Sequence, residues 1–170
     1  EYLSEYIPPE NERLAWATGF SGSAGYAIVS INKAAIFVDG RYTVQVKEQI
    51  NSNLFEILNI PQDSWVEWYK NNHKENSKIG YDPRMHRVIW KNLTKKQLGS
   101  QFTILEVNNN PIDIYWENRP KAKNEKAILL EHKYTGQTSQ EKRTELGDII
   151  KSNRCDSAFI TKLDSIAWLL

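Results

Sequence analysis

One cysteine, Cys155, in 170 residues excludes an internal disulfide and the small stapled scaffolds that depend on one. It also favours a reducing compartment, so the expected localisation is cytoplasmic. The three histidines, His73, His86 and His132, lie outside metal-ligand spacing of one another, and neither His-Glu-x-x-His nor Cys-x-x-Cys occurs, so a zinc site has no sequence signal. Neither sign of charge dominates: 22 Lys+Arg stand against 21 Asp+Glu, a formal net charge of +1, which argues against a nucleic-acid partner. No run approaches the roughly 18–20 apolar residues of a membrane span, so no membrane partner is expected. Glu1-Tyr2-Leu3-Ser4-Glu5 lacks the basic and apolar stretches of a signal peptide, and without an initiator Met the start is expected to be a processed or trimmed end.

What is present is an aromatic-rich chain. Six Trp and eight Tyr supply large buried areas per side chain, enough for a sizeable core without covalent staples. The length fits one domain, or one domain plus part of another.

Pro8-Pro9 before Glu10-Asn11-Glu12-Arg13 predicts a helix start, with proline in the first turn and acids at the positive end of the dipole. Gly19 to Gly25 is a small-residue loop. Gly25 to Ile31 and Ala34 to Val38 form two strands of a hairpin turning at Asn32-Lys33. From Arg41 the period becomes helical, with Tyr42, Val46 and Ile50 four apart, for about three turns. Phe55 to Ile60 is a strand stopped by Pro61, and Gln62-Asp63-Ser64 cap a helix whose apolar face is Trp65, Val66, Trp68 and Tyr69. Lys78 to Tyr81 is a strand, Met85 to Leu98 a helix and Phe102 to Val107 a strand. A hairpin followed by alternating helices and strands predicts an α/β fold, a mixed β-sheet flanked by helices.

The polar stretch from Glu117 to Lys126 marks a boundary. The expected division is a first domain over 1–116, a linker over 117–135 and the truncated start of a second α/β domain over 136–170. In that second part Thr138-Ser139-Gln140-Glu141 opens a helix, and Ser157 to Thr161 reads as a strand. The chain stops on the apolar run Ile166-Ala167-Trp168-Leu169-Leu170, which suggests a domain cut short.

Candidate chemistry is sparse. Gly19-Phe20-Ser21-Gly22-Ser23-Ala24-Gly25 invites a nucleophile-elbow reading, but the flanking glycines fail around both Ser21 and Ser23, and a strand follows where an elbow leads into a helix. The plain reading is a tight turn using glycine freedom; the alternative is a binding surface. Asp39-Gly40-Arg41-Tyr42 ends a strand. Asp39 reads as a cap with an Arg41 ion pair, and Arg41 is otherwise suited to gripping a carboxylate. Cys155 reads as a buried inert thiol at a strand start, and Asn92-Leu93-Thr94 as a chance glycosylation sequon inside a helix. No catalytic residue and no metal ligand is assigned to this chain.

The motifs in register carry a family resemblance. Ser4-Glu5-Tyr6-Ile7-Pro8, Glu12-Arg13-Leu14-Ala15-Trp16, Thr18-Gly19-Phe20-Ser21-Gly22-Ser23-Ala24-Gly25 and Val38-Asp39-Gly40-Arg41-Tyr42 with Gln45 closely resemble the amino-terminal domain of Xaa-Pro aminopeptidases of the creatinase/prolidase superfamily. Leu163-Asp164-Ser165-Ile166-Ala167-Trp168-Leu169-Leu170 resembles a segment of the second domain of the three-domain form. The resemblance implies a creatinase/prolidase amino-terminal domain with a ribonuclease H-like motif, followed by the start of a second related domain. It implies a parent hydrolase that cleaves the peptide bond before proline with two divalent metal ions, manganese or zinc, held downstream of Leu170 by two Asp, one His and two Glu. The expected partners are a proline-containing peptide, through that missing catalytic domain, and a second copy in a homodimer of the parent. For this portion the resemblance implies dimerisation and shaping of substrate access. It does not carry over which residues do so; the candidate surface read from this sequence is Gly19, Phe20, Ser21, Gly22, Ser23, Arg41 and Tyr42. A peptide- or protein-binding module from an inactive member of the superfamily is the alternative, and a stand-alone Ser or Cys hydrolase is a third reading, weakened by the absence of an evident base.

Overall fold

The computed structural model describes residues 6–123 and 125–170. Ser4 and Glu5 of the first motif, the rest of the opening five residues, and Asn124 of the expected linker lie outside them. The chain divides into two compact units, one ending at Ala122 and the other running from Lys123 to Leu170.

In the first unit a short 3-10 turn at Pro9–Asn11 leads into α1 (Arg13–Thr18), which ends on Gly19 in the left-handed conformation. The hairpin β1 (Gly25–Val29) and β2 (Ala34–Asp39) follows, with Gly25 paired to Val38 and Val29 to Ala34. Its turn centres on Ile31-Asn32, one residue earlier than expected, because the Ser30 N–H donates to the Lys33 carbonyl at 2.8 Å. The expected three-turn helix after Arg41 is shorter. Gly40–Tyr42 is a 3-10 turn whose first free N–H is taken by the Asp39 side chain, and α2 is only Gln45–Gln49. Thr43 and Val44, both β-branched and poor helix formers, sit at the break.

β3 (Glu56–Ile60) joins β2 in parallel, so the sheet is mixed, as expected, in the order β1-β2-β3. α3 (Trp65–Asn72) starts on the Ser64 cap, and its Val66, Trp68 and Tyr69 are buried. β4 (Lys78–Tyr81) is followed by a 3-10 turn at Pro83–Met85. The helix expected from Met85 therefore starts only at Val88, as α4 (Val88–Leu98). β5 (Thr103–Glu106) pairs with β4 in parallel, and α5 (Pro111–Tyr115) closes the unit on an Asn110 cap. The strand layer is not continuous: β4 and β5 form their own two-stranded sheet.

Two apolar clusters hold this unit. One gathers Ala35, Phe37, Val66, Trp68, Tyr69, Leu98 and Phe102, with Ile28, Ile79 and Ile104 packed against it, so α3 and α4 cover both sheets from one side. The other, Phe20, Ile36, Val38, Val46 and Ile50, fills the opposite side of β2. β2 is thus buried on both faces, which explains its continuous apolar run from Ala34 to Val38.

The second unit holds α6 (His132–Thr135), α7 (Ser139–Ser152) and α8 (Leu163–Leu169). α7 begins with a full capping box: Thr138 accepts from the Glu141 N–H, and Glu141 accepts from the Thr138 N–H. The expected strand over residues 157–161 does not form. A strand needs a partner ladder, and no other segment of this unit is a strand among the described residues. Cys155, expected to be buried, is accordingly exposed.

Candidate interaction surface around the glycine-rich loop

The loop after α1 is placed from inside. Phe20 is fully buried against Val38 and Val46, and its backbone N–H donates to the Thr18 hydroxyl at 3.1 Å. Its ring meets that of Tyr42 edge to face, with centroids 5.6 Å apart. A side chain at Gly22 would collide with the Phe20 ring at 2.2 Å, so the glycine is required by close approach and the loop folds tightly over its own anchor.

Hydrogen bonds then fix the polar residues. The Ser21 N–H donates to Gln49 Oε1 at 3.0 Å, and the Ser21 hydroxyl accepts from Gln49 Nε2 at 2.9 Å and Gln45 Nε2 at 3.2 Å. Ser23 Oγ and the Tyr42 hydroxyl lie 2.7 Å apart. Arg41 donates from its backbone N–H and its Nε to Asp39 Oδ1, at 3.0 and 2.8 Å, and its guanidinium lies 5.4 Å from the Tyr42 ring centroid. These bonds, the side-chain one first, hold the Asp39 carboxyl below the usual carboxylate range.

All seven candidate residues therefore converge on one patch. Ser21, Ser23 and Arg41 are exposed on it, and Phe20 is its buried support. Beside it, a cleft of about 430 Å³ is lined by the loop, by Arg13 and Leu14 of α1 and by Met85. A serine nucleophile needs a base within reach to take its proton. The partners recorded for Ser21 and Ser23 are two glutamines and a tyrosine, none of which is such a base at neutral pH.

Two arrangements were not legible in the sequence. The Ser30 hydroxyl lies 2.7 Å from His73 Nε2, while His73 Nδ1 is 2.9 Å from the Tyr69 carbonyl. A carbonyl only accepts, so Nδ1 carries a hydrogen and donates it to Tyr69. With Lys33 Nζ donating to Asn72 at 2.5 Å, this pins the hairpin turn to the end of α3. Second, Asp113 collects three arginines: Arg13 at 2.8 Å, Arg119 at 2.9 Å and Arg84 at 3.3 Å. Arg84 also grips Asp82 in a bidentate pair and Asn110 donates to Asp82 at 3.1 Å, holding the buried Asp82 carboxyl at about 2. No local signal joins residues a hundred positions apart.

Among the described residues no three His, Cys, Asp or Glu side chains are grouped to hold a metal ion, so the residues present do not fit one. No helix is long and apolar enough to cross a membrane.

Comparison with known proteins gives two matches to one family description. The Creatinase/Prolidase N-terminal domain matches residues 2–108, and a second profile of the same description matches residues 118–170. The Caenorhabditis elegans Xaa-Pro aminopeptidase app-1 is 31% identical over 98% of this chain and 28% of its own length. A probable Xaa-Pro aminopeptidase P of Aspergillus clavatus is 36% identical over 99% of this chain and 26% of its own. The crystal structure of the X-prolyl aminopeptidase of Caenorhabditis elegans, described as a cytosolic enzyme with a di-nuclear active site, superposes with a TM-score of 0.82. It has 30% identity over 98% of this chain and 28% of that one. The chain thus spans just over a quarter of the length of these relatives.

Proposed function

The chain belongs to the creatinase/prolidase family, and on that premise we propose that it is the non-catalytic amino-terminal portion of a metal-dependent Xaa-Pro aminopeptidase. The observation that carries this is the pair of amino-terminal-domain matches, which follow one another along the chain of a protein similar to Xaa-Pro aminopeptidases throughout its length. In this reading residues 1–116 form the first domain, 117–135 a linker and 136–170 the start of a second. Two divalent ions, manganese or zinc, are held by residues outside the 170. The peptide bond before proline is cleaved there, in a cytoplasmic enzyme.

The loop patch is the part of this portion offered to a neighbour, in dimerisation or in shaping the substrate's approach. A rigid, polar, glycine-shaped surface on a buried aromatic anchor suits that role, because little conformational entropy is lost when it is covered. Arg41, held by Asp39 and lying over Tyr42, adds a positive charge to that surface.

The test is release of the first residue from a short Xaa-Pro-Pro peptide by the 170-residue chain and by the full-length polypeptide, each with and without manganese. Metal-dependent release by the full-length polypeptide alone is the expected result. Release by the 170-residue chain, after contaminating host enzyme is excluded, overturns it. A full-length polypeptide that binds the peptide without cleaving it selects the inactive binding-module reading instead. In the active full-length enzyme, Arg41→Ala raises KM or shifts the monomer–dimer balance several-fold without lowering kcat; no change in either removes the patch from this role.

A further inference from the structure

Among the described residues β1 and β4 each leave one edge without a strand partner, and the same clefts are lined by both edges. The register of β1 on β2, with the Asp39 N–H donating to the Ala24 carbonyl and the Ser30 N–H to the Lys33 carbonyl, directs Tyr26 and Ile28 toward β2. The backbone groups of Gly25, Ala27 and Val29 therefore point the other way. In the second sheet the Ser77 and Tyr81 carbonyls accept from Thr103 and Val107, which directs Ile79 toward β5 and leaves Lys78 and Gly80 pointing outward. Among the described residues no backbone hydrogen bond joins 25–33 to 77–81. Gly25 and Ala27 are half-buried while Val29, Lys78 and Gly80 are exposed; unpaired strand edges of this kind are templates for pairing with another strand.

The space between them has the size of a strand. A cleft of about 1090 Å³ is lined on one side by Ala27 to Lys33 and on the other by Ser77 to Gly80. A smaller cavity of about 120 Å³ continues it between Tyr26–Ile28 and Ile79–Tyr81. With strands about 4.8 Å apart, a rise of about 3.3 Å per residue and layers about 10 Å deep, one inserted residue fills roughly 160 Å³, so the cleft takes about six or seven. The small cavity is floored by Trp65, Trp90 and Ile104, and the large cleft by Tyr69 with the polar Asn72, His73 and Lys74. The same helices already cover both sheets through one core cluster. The start of β1 shares the small cavity with the end of β4, and the hairpin end shares the large one with the start of β4, so the edges run antiparallel.

We infer that β1 and β4 are the two banks of a slot for one extended segment of the full-length polypeptide, drawn from the sequence beyond these 170 residues. Relatives three to four times longer than this chain supply that length. The segment runs parallel to one bank and antiparallel to the other. It places apolar residues where it crosses Trp65 and Trp90 at one end, and joins the two sheets into one five-stranded layer plus itself. The recognition is through main-chain hydrogen bonds. The inference does not rest on the aminopeptidase reading, since an inactive polypeptide would fill the slot equally.

Residue-resolved amide exchange on the 170-residue chain and on the full-length polypeptide tests it. In the short chain the N–H groups of Ala27, Val29, Lys78 and Gly80 exchange rapidly while that of Ile28, paired to β2, is slow. In the full-length polypeptide those four slow by at least 100-fold, independently of protein concentration. Rapid exchange of the four in both proteins overturns the slot. Slow exchange already present in the short chain also overturns it: if it rises with concentration, the occupant is a second copy, and if it does not, the banks close on each other.

Discussion

The unit that ends at Ala122 buries Phe20, Ile36, Phe37, Val38 and Val46 completely, whereas in the unit from Lys123 onward the one buried side chain among the described residues is a lysine. That lysine, Lys142, donates to the Trp168 carbonyl at 2.7 Å and lies over the Trp168 ring, while Ser139 donates to the Leu169 carbonyl at 2.8 Å. The end of α8 is thus held by polar groups of α7, placing a cation where the helix dipole is negative. Meanwhile Ile128, Leu129 and Phe159 stand at least 85% exposed. The first unit is held by burial between layers, and the second by capping and a few hydrogen bonds between neighbouring helices. The difference shows that a family motif such as Leu163 to Leu170 can form its local helix without the core that stabilises a domain.

The largest effect expected from this contrast is in the core. Phe37 stacks on Tyr26 at 5.0 Å and meets Trp68 edge to face. Phe37→Ala costs about 3–5 kcal/mol by lost transfer energy and the cavity left behind. Phe159→Ala, at a side chain 95% exposed, changes stability by less than about 0.5 kcal/mol. Urea unfolding followed by tryptophan fluorescence measures both. Equal losses would erase the distinction between the units.

Acid sharpens the same comparison. The folded Asp82 carboxyl sits at about 2 against an ordinary 3.8, through Arg84 first and then the Arg84 N–H and Asn110. A depressed folded pKa gives stability that is fully present above the ordinary value and is lost as pH falls toward about 2. The shift corresponds to about 2 kcal/mol. The stability of the first unit should therefore weaken as pH falls from about 4 to 2, and Asp82→Asn should flatten that slope. Glu141 in the second unit is also held low, by the Thr138 N–H first, but it is exposed and its contribution is screened by salt. An unchanged acid slope in Asp82→Asn would remove Asp82 as its source.

Elements with strong local signals were readable from the residues. Ser64 and Thr138 cap where the pattern places them, and β2 shows the continuous apolar run of a doubly buried strand. The candidate patch was readable as two motifs, Gly19–Ser23 and Arg41–Tyr42. Their meeting through Ser23 and Tyr42 was not, since nothing local records a contact between residues 19 apart. The break in the strand layer was hidden for a related reason: β1 and β4 each carry ordinary strand residues, and pairing is a property of the neighbour. Residues 157–161 fail in the same way, with Phe159 and Ile160 patterned for a sheet that the described part of this unit does not provide.

The smallest effect separates the units most cleanly. Thr138 Oγ1 accepts from the Glu141 N–H at 3.2 Å, and Glu141 Oε2 accepts from the Thr138 N–H at 2.7 Å, satisfying donors that the first turn of α7 leaves open. Thr138→Ala removes half of that box at a cost of about 1 kcal/mol. A 14-residue helix is marginal without tertiary support. In a unit with no buried apolar side chain among its described residues, that loss should appear as about fivefold faster amide exchange along α7, given that 1.4 kcal/mol is tenfold. Amides of β2, protected by an independent core, should not respond. Acceleration spreading to β2 would mean that the two units share their stability, and no acceleration in α7 would mean that something other than its cap holds that helix.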